Sequence, residues 1–490
     1  MSDLIKQKET KKFYIVMAIS FTIMVGFGYL PPFAEPITPI GMRMIGIFIG
    51  LIFGWLFGYN AITAIMALLI CGLFYPNQTA DSLFGVAFGA QPLMIVFWAL
   101  IFVYGLNKCG ILSWVSAKIL SWKWVSKSPW HLAMGLWLCT ILCAAICCQP
   151  FATMLIMFSI YYDVSKKIGA ERRSAYTVFV LAFICGFSAL AIGLVPYSGN
   201  LFLALSFMLA VDPTITYSVP AICAINWALT LGMYFFTGVI AKIAFSTFAK
   251  PEFTLEHSGE LFKKPGKMNK KIRLGFFFIL IMLVIMVGPM LLPAESPIKT
   301  FMSGFGTAGL FAAVVVIMSL VTINGERFMT IEGALQDGAV HWSIYFIMSS
   351  AIALGNLLVS KEAGIAELLN TVLNNLTGDM SLYALTTLLL IALLILTNCI
   401  TNVVAAQLVI PLVTMIFLSK GVNPGLIVGM MAIVFDYGLV LPSGSPLGAF
   451  MHGNSEWMSS GQVYKYASIS VICVALSIAI IGVPLALMFI

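Results

Sequence analysis

Long runs of apolar residues, separated by short polar stretches, occupy most of this 490-residue chain. An α-helix needs about 20 apolar residues to cross the hydrocarbon core of a membrane. The pattern therefore predicts about eleven transmembrane helices. They lie near residues 13–30, 38–57, 60–75, 91–109, 175–211, 219–246, 274–292, 303–323, 341–359, 423–451 and 466–490.

Two further apolar stretches, residues 131–166 and 381–418, are too long for one span and carry polar residues at their middles. We interpret each as a re-entrant hairpin, whose two helices enter and leave the membrane on one side. Backbone N–H and C=O groups in hydrocarbon must be hydrogen-bonded within the protein, which favours helices throughout. The predicted fold class is an all-α polytopic membrane protein.

Composition and charge agree with this class. Hydrophobic residues make up 61% of the chain and charged residues 9%, whereas roughly a quarter of the residues in soluble domains are charged. With the N-terminus in the cytoplasm, all but four of the 26 Lys and Arg residues fall in cytoplasmic loops, in accord with the positive-inside rule. The four exceptions are Arg43, Lys299, Lys361 and Lys420. We expect a lipid-embedded protein of a bacterial cytoplasmic (inner) membrane, and no nucleic-acid partner.

The same order of features occurs twice along the chain. Each occurrence has a hairpin followed by a helix interrupted by Pro, Gly and Ser, at residues 175–211 and 423–451. By the predicted topology the first hairpin opens from the cytoplasm and the second from outside, so the repeats are inverted. Inverted repeats with interrupted helices are typical of secondary transporters. The predicted divisions are an N-terminal tail with the first span (1–37), a first repeat (38–246), a cytoplasmic linker (247–273) and a second repeat (274–490).

The interruptions predict a binding site. The hairpin tips read "CCQPFAT" (147–153) and "TNCITNVVAA" (397–406), and the helix breaks read "PYSGN" (196–200) and "LPSGSP" (441–446). A cut helix leaves N–H and C=O groups unpaired, and these cannot face lipid. Exposed N–H ends suit an anion and exposed C=O ends suit a cation. We expect the breaks to line a shared aqueous chamber; ordinary Pro/Gly kinks are the alternative.

At these motifs the chain resembles the divalent anion/sodium symporter family, which carries citrate, dicarboxylates and sulfate. The best local match is "ITNVVAAQLVIPL" followed by "GLVLPSGSPLGAF". The resemblance implies eleven spans, two opposed hairpins with Ser-Asn-Thr tips, a homodimer and Na⁺ as the coupling ion. Thr401, Asn402 and Val403 stand at the second Ser-Asn-Thr motif, and "CQP" (148–150) stands at the first.

The chain departs from the family pattern at most of these positions. Only Asn402 is retained outright, and Thr401 is a conservative change. Pro150 and Val403 remove hydroxyl groups, and Cys148 offers sulfur to a cation that prefers oxygen. We therefore expect a divergent member with altered coupling, altered substrate, or both.

The candidate ligands follow from the motifs and the resemblance. The predicted substrate-binding residues are Gln149, Pro150, Ser198, Gly199, Asn200, Thr401, Asn402, Val403, Ser443, Gly444 and Ser445. The predicted cation-binding residues are Cys148, Gln149, Gly199, Thr401, Asn402 and Gly444. No cofactor or metal other than Na⁺ is expected.

Asp436 lies inside a span, five residues before the second break motif. An ionised, unpaired carboxylate there costs about 3 kcal/mol, so the residue is a functional candidate. It would carry the coupling proton if the sodium sites are lost. The alternative is an Asp that holds the broken helix together through paired hydrogen bonds.

The function indicated is secondary active transport of small organic anions by alternating access, with di- or tricarboxylates as the expected substrates. Coupling to Na⁺, coupling to H⁺ and exchange all stay open, and sulfate is the alternative substrate. An anion channel and a membrane-embedded enzyme are remote alternatives. The chain has no Ser/His or HExxH arrangement of the kind that catalysis requires, so we expect no enzymatic activity.

Overall fold

A computed structural model describes residues 2–57, 59–253, 265–293, 295–340, 342–358, 360–365, 367–368, 371 and 380–490. Apart from one two-stranded hairpin, the regular secondary structure of the described chain is helical, which confirms the predicted all-α class. The first eleven helices are α1 (Ser2–Gly26), α2 (Pro39–Leu56), α3 (Asn60–Phe74), α4 (Ala80–Gly89), α5 (Gln91–Lys108), α6 (Ile111–Leu120), α7 (Pro129–Cys147), α8 (Pro150–Ile168), α9 (Ala175–Leu190), α10 (Gly199–Leu209) and α11 (Val219–Ser246).

The second half of the chain contributes the remaining helices. They are α12 (Lys270–Leu291), α13 (Pro297–Leu320), α14 (Ile331–Gln336), α15 (Trp342–Leu358), α16 (Leu382–Cys399), α17 (Asn402–Ser419), α18 (Gly425–Val434), α19 (Pro446–Gly453), α20 (Ser460–Ser477) and α21 (Val483–Leu487). A π-helical turn over 478–482 joins α20 to α21, and short 3₁₀ turns occupy 27–29 and 191–193. Of the predicted linker, residues 254–264 lie outside the described residues.

Both predicted hairpins are present, as α7–α8 and α16–α17, and both predicted interrupted helices are divided, as α9/α10 and α18/α19. Eleven helices in the described chain are long and apolar enough to cross a membrane. This set differs from the predicted spans, because it includes the hairpin arms α7, α16 and α17 but not α3, α15 or α18. Helix α3 stops at Phe74 because Pro76 disfavours helical geometry at the preceding residue.

Two small elements were not predicted. Helix α4 begins at a capping box in which Thr79 and Ser82 exchange hydrogen bonds. The predicted span 303–323 ends early, at Leu320, and Thr322–Ile323 then pairs with Glu326–Arg327 as a two-stranded antiparallel hairpin, β1 and β2. Asn324 and Gly325 both have positive φ, as tight hairpin turns require.

Contacts between loops support the inverted arrangement. At the base of α7–α8, the Arg173 N–H donates to the Trp457 carbonyl oxygen (3.2 Å), just after α19. At the base of α16–α17, Asn423 Nδ2 donates to the Thr216 carbonyl oxygen (2.9 Å), just after α10. Each broken helix thus begins at the base of one hairpin and ends at the base of the other. The two hairpins therefore enter from opposite ends of the broken helices.

Other loop contacts join segments that the predicted topology puts on one side. They are Lys108 Nζ to Asp337 Oδ2 (2.9 Å), Lys271 Nζ to Glu326 Oε2 (3.0 Å) and Tyr75 Oη to Ser360 Oγ (2.8 Å). Near the first pair, the Tyr104 hydroxyl donates to Asp337 at 2.6 Å. This hydrogen bond and the Lys108 ammonium hold the pKa of Asp337 below its ordinary value.

The buried side chains form two hydrophobic clusters. The smaller cluster is built mainly by α1 to α4 and part of α15, and the larger cluster by most of the remaining helices. Val404 of α17 belongs to the smaller cluster, whereas Ala405 and Ala406 belong to the larger one. The second hairpin therefore lies at the boundary between the two clusters.

We expect Thr216→Cys and Ser455→Cys to be labelled by a membrane-impermeant maleimide from opposite faces of the membrane, Thr216→Cys from outside. Both positions are exposed, and the loop contacts use their backbone carbonyls, which the substitutions keep. Both variants are made in a Cys399→Ser background, which removes the exposed cysteine. The other nine cysteines are buried. Labelling is measured in intact cells and in inverted membrane vesicles, which expose opposite faces of the membrane to the reagent. Labelling of both positions from one face would contradict the inverted arrangement.

Candidate functional site

A cavity of about 710 Å³ lies where both hairpins and both broken helices meet. We name its surroundings tip 1 (147–153), break 1 (191–200), tip 2 (397–406) and break 2 (435–446). The residues from these segments and the helix starts beside them that line the cavity are Cys148, Gln149, Pro150, Phe151, Gly199, Asn200, Thr401, Asn402, Val403, Val404, Asp436, Pro442, Ser443, Gly444, Ser445, Pro446 and Leu447. The predicted site residues are therefore brought together, with one exception.

The exception is Ser198, which does not line the cavity. Its side chain is fully buried, and its hydroxyl accepts the Leu201 N–H at 3.4 Å. Ser198 therefore serves as the N-cap of α10. The first turn of α10 thus already uses the hydroxyl for which the sequence predicted a ligand.

Four helices begin at the cavity wall: α8, α10, α17 and α19. A helix N-terminus carries about half a positive charge and presents unpaired N–H groups. Ser198 and Ser445 cap α10 and α19, but the side chains of Gln149 and Thr401 accept no hydrogen bond from the first turns of α8 and α17. The cavity is therefore surrounded by helix ends that favour an anion.

Tip 1 reverses the chain in two residues. Cys148 closes α7 in the left-handed conformation (φ 45°), and Pro150 starts α8 with the φ that a helix requires. The Cys148 thiol donates to the Ala145 carbonyl oxygen at 3.4 Å. Among the described residues, the Gln149 side chain has no hydrogen-bond partner, so its amide is free to bind a ligand in the cavity.

Asn398 joins tip 2 to break 2. Its Oδ1 accepts the N–H groups of Leu439 (2.8 Å) and Val440 (2.9 Å), and its Nδ2 donates to the Leu394 and Tyr437 carbonyl oxygens. One side chain thus satisfies four backbone groups that the hairpin arm and the broken helix leave near each other. Asn398 lies within the tip motif, but sequence reasoning did not select it.

Glycines allow break 2 to approach the second hairpin closely. A Cβ on Gly438 would lie 2.5 Å from both Asn402 Oδ1 and the Thr397 carbonyl oxygen, and one on Gly444 would lie 2.9 Å from that carbonyl oxygen. The Asn402 N–H donates to the Gly444 carbonyl oxygen at 3.2 Å. Gly444 therefore has a packing role besides lining the cavity. Around Gly199, by contrast, the nearest atom to a Cβ would be 3.7 Å away.

Asp436 lies in the first turn after α18 and is only 7% exposed. Asn402 Nδ2 donates to its Oδ1 at 3.1 Å, and Asn200 Nδ2 donates to its Oδ2. One carboxylate thus connects α10 of the first half to α17 of the second. Its hydrogen-bond partners in the described chain are neutral amides, and no ion pair to it is found there. The structure shows the paired arrangement that the sequence left as one of two interpretations.

No family model and no curated protein sequence matches the chain. The fold matches solved structures, including the crystal structure of the Alcanivorax borkumensis YdaH transporter, which is described as having an unusual topology. The match has a TM-score of 0.52 at 14% sequence identity, and it covers 89% of this chain and 98% of that chain. The chain is therefore an integral membrane protein with the fold of a transporter.

We expect Gly438→Ala to lower the melting temperature of the purified protein, because the added methyl group must push tip 2 away from break 2. Overpacking of this kind costs about 1–3 kcal/mol. Gly199→Ala is the matched control, since its methyl group finds ordinary contact distances. Equal melting temperatures for the two variants would contradict the close approach at Gly438.

Proposed function

We propose that this protein is a secondary active transporter of small organic anions that works by alternating access. The observation that carries the proposal is the meeting of both tips and both breaks at one cavity of about 710 Å³. A kink that only bends a helix does not need four helix N-termini around one cavity. The likeness of fold to a transporter favours transport over catalysis.

The chemistry of the cavity favours an anion. Among the described residues that line it there is no Lys, Arg or His, so helix ends and neutral donors would balance the charge of the substrate. Gln149 and Thr401 line the cavity and offer side-chain donors. The proposed cargo is a carboxylate, with di- and tricarboxylates as the class implied by the resemblance to divalent anion/sodium symporters and sulfate as the alternative.

Asp436 is the proposed coupling residue. An ionised Asp436 and a bound anion would repel each other in a cavity with no cationic side chain on its walls. Neutralising the carboxylate with a cation removes this repulsion, and linkage makes the effect reciprocal, so the anion would also promote cation binding. The two are then transported together.

The proposed cation is a proton. Sodium requires oxygen ligands, but at tip 1 the Cys148 thiol is turned to a backbone carbonyl and Pro150 has no hydroxyl. Sodium bound through Thr401, Asn402 and Asp436 is the alternative, and exchange without a coupling ion is a third arrangement. We also propose a homodimer in a bacterial cytoplasmic membrane with the N-terminus in the cytoplasm.

The function is tested by uptake of labelled succinate, citrate, hexanoate and sulfate into proteoliposomes, with proton and sodium gradients imposed separately. We expect an inward proton gradient to drive accumulation of organic anions, with little effect of sodium. Counterflow driven by unlabelled substrate separates a carrier from a channel. Failure to accumulate or exchange any of these anions would contradict the proposal.

We expect Asp436→Asn to abolish accumulation driven by a proton gradient while anion exchange persists, because the amide keeps the shape of the residue but carries no titrating proton. The measurement is uptake against a gradient compared with counterflow in the same proteoliposomes. Asp163→Asn, on an exposed part of α8, is the control and should behave as the wild type. Unchanged proton-driven uptake by Asp436→Asn would exclude this residue as the proton carrier.

A further inference from the structure

The wall of the cavity that lies away from the tips and breaks is apolar. Its side chains come from α2, α5 and α15, and they include Trp55, Val96, Leu100, Val103 and Ile347. These helices are far from the hairpins in the sequence, and no motif marks them. The cavity thus has one polar side, built by the helix N-termini, and one hydrophobic side.

The two sides are adjacent. A Cβ on Gly199, in the first turn of α10, would lie 3.7 Å from Val96 Cγ1 and 3.8 Å from Leu100 Cδ2. The apolar wall therefore begins within van der Waals distance of a helix N-terminus. A molecule whose carboxylate lies against the N-terminus of α10 has its remaining atoms beside α5.

The charges of the cavity limit the number of carboxylates that it can hold. In the described part of the chain, its walls carry one acidic side chain, Asp436, and no cationic side chain. One carboxylate can be placed against the helix ends. A second carboxylate that faced Val96, Val103 and Ile347 would lose its hydration without gaining a partner.

We propose that the cavity selects anions with one carboxylate and an apolar body, and that it discriminates against di- and tricarboxylates. The inference rests on the proposed function and narrows its substrate class. This substrate class differs from the one that the family resemblance implies. The resemblance depends on the tip motifs, whereas the apolar wall comes from other helices. Burial of the body against α2, α5 and α15 supplies the affinity, and the helix N-termini supply the preference for an anion.

The test is binding of a matched six-carbon series to the purified full-length protein at pH 7, measured by calorimetry. We expect hexanoate to bind at least tenfold more tightly than adipate, which adds a second carboxylate, and than hexanamide, which has no charge. From butyrate to heptanoate, affinity should rise about three- to fourfold per methylene group. Tighter binding of adipate, succinate or citrate than of hexanoate would overturn the inference.

Two variants of one wall residue test the location of the apolar body. We expect Leu100→Ser to weaken hexanoate binding about tenfold, and Leu100→Lys to shift the hexanoate-to-adipate preference toward adipate. Met94→Ser and Met94→Lys are the controls, because Met94 lies on the same helix but does not line the cavity. Wild-type selectivity in both Leu100 variants would overturn the placement, and the serine variant keeps the test valid if the lysine variant does not fold.

The outcomes separate this inference from the proposed function. If dicarboxylates bind and are transported in preference to hexanoate, the protein is an organic anion transporter and only the narrower substrate class is wrong. If neither class binds and neither is transported, the proposed function itself is wrong. If hexanamide binds as well as hexanoate, the helix ends do not select for charge and the inference fails.

Discussion

The backbone of a membrane-embedded helix cannot be interrupted unless its freed N–H and C=O groups find new partners. This chain is interrupted at two tips and two breaks, and the rest of the site follows from how those groups are satisfied. Asn398 pairs three of them, at Tyr437, Leu439 and Val440, and Asn226 donates to the Gly193 and Gly429 carbonyl oxygens at 3.1 Å each. The Ser445 hydroxyl donates to the Gly438 carbonyl oxygen and caps α19. The N–H groups at the uncapped starts of α8 and α17 lie at the cavity.

The tips of the two halves are held by different sets of hydrogen bonds. Tip 2 and break 2 are joined by several side-chain hydrogen bonds, including the bond from Ser443 Oγ to the Cys399 carbonyl oxygen at 3.2 Å. Tip 1 is held more locally, by the contact between Cys147 Sγ and Thr153 Oγ1 at 2.8 Å. The carboxylate of Asp436 then connects the start of α10 to the second half. A change in the protonation of Asp436 would alter the hydrogen bonds between the two halves as well as the charge of the cavity.

The described walls of the cavity contain no Lys, Arg or His, and this sets the electrostatics of the site. Helix ends attract an anion without forming the strong ion pair that would slow its release. They also leave Asp436 without a cationic partner in the described chain. In the proposed mechanism, anion binding and coupling would therefore follow from one electrostatic arrangement.

Hydrophobic length and helix-breaking residues predicted much of this fold. The α7–α8 and α16–α17 hairpins and the divided helices could be located in the sequence because each depends on local backbone hydrogen bonding in an apolar solvent. Helix boundaries were less accurate: Thr322 and Ile323 form strand β1 where a span was expected to continue, and the 15-residue α3 is shorter than a typical span.

The sequence by itself determined which segments are interrupted and therefore which segments supply the polar side of the site. Only the tertiary structure decided that Ser198 is a buried cap, that Gly438 is required for close packing, that Asp436 joins the two halves, and that α2, α5 and α15 supply an apolar wall. The physical reason is distance along the chain. Interruption is a property of neighbouring residues, whereas each of the other features depends on which distant side chains or backbone groups come within a few ångströms.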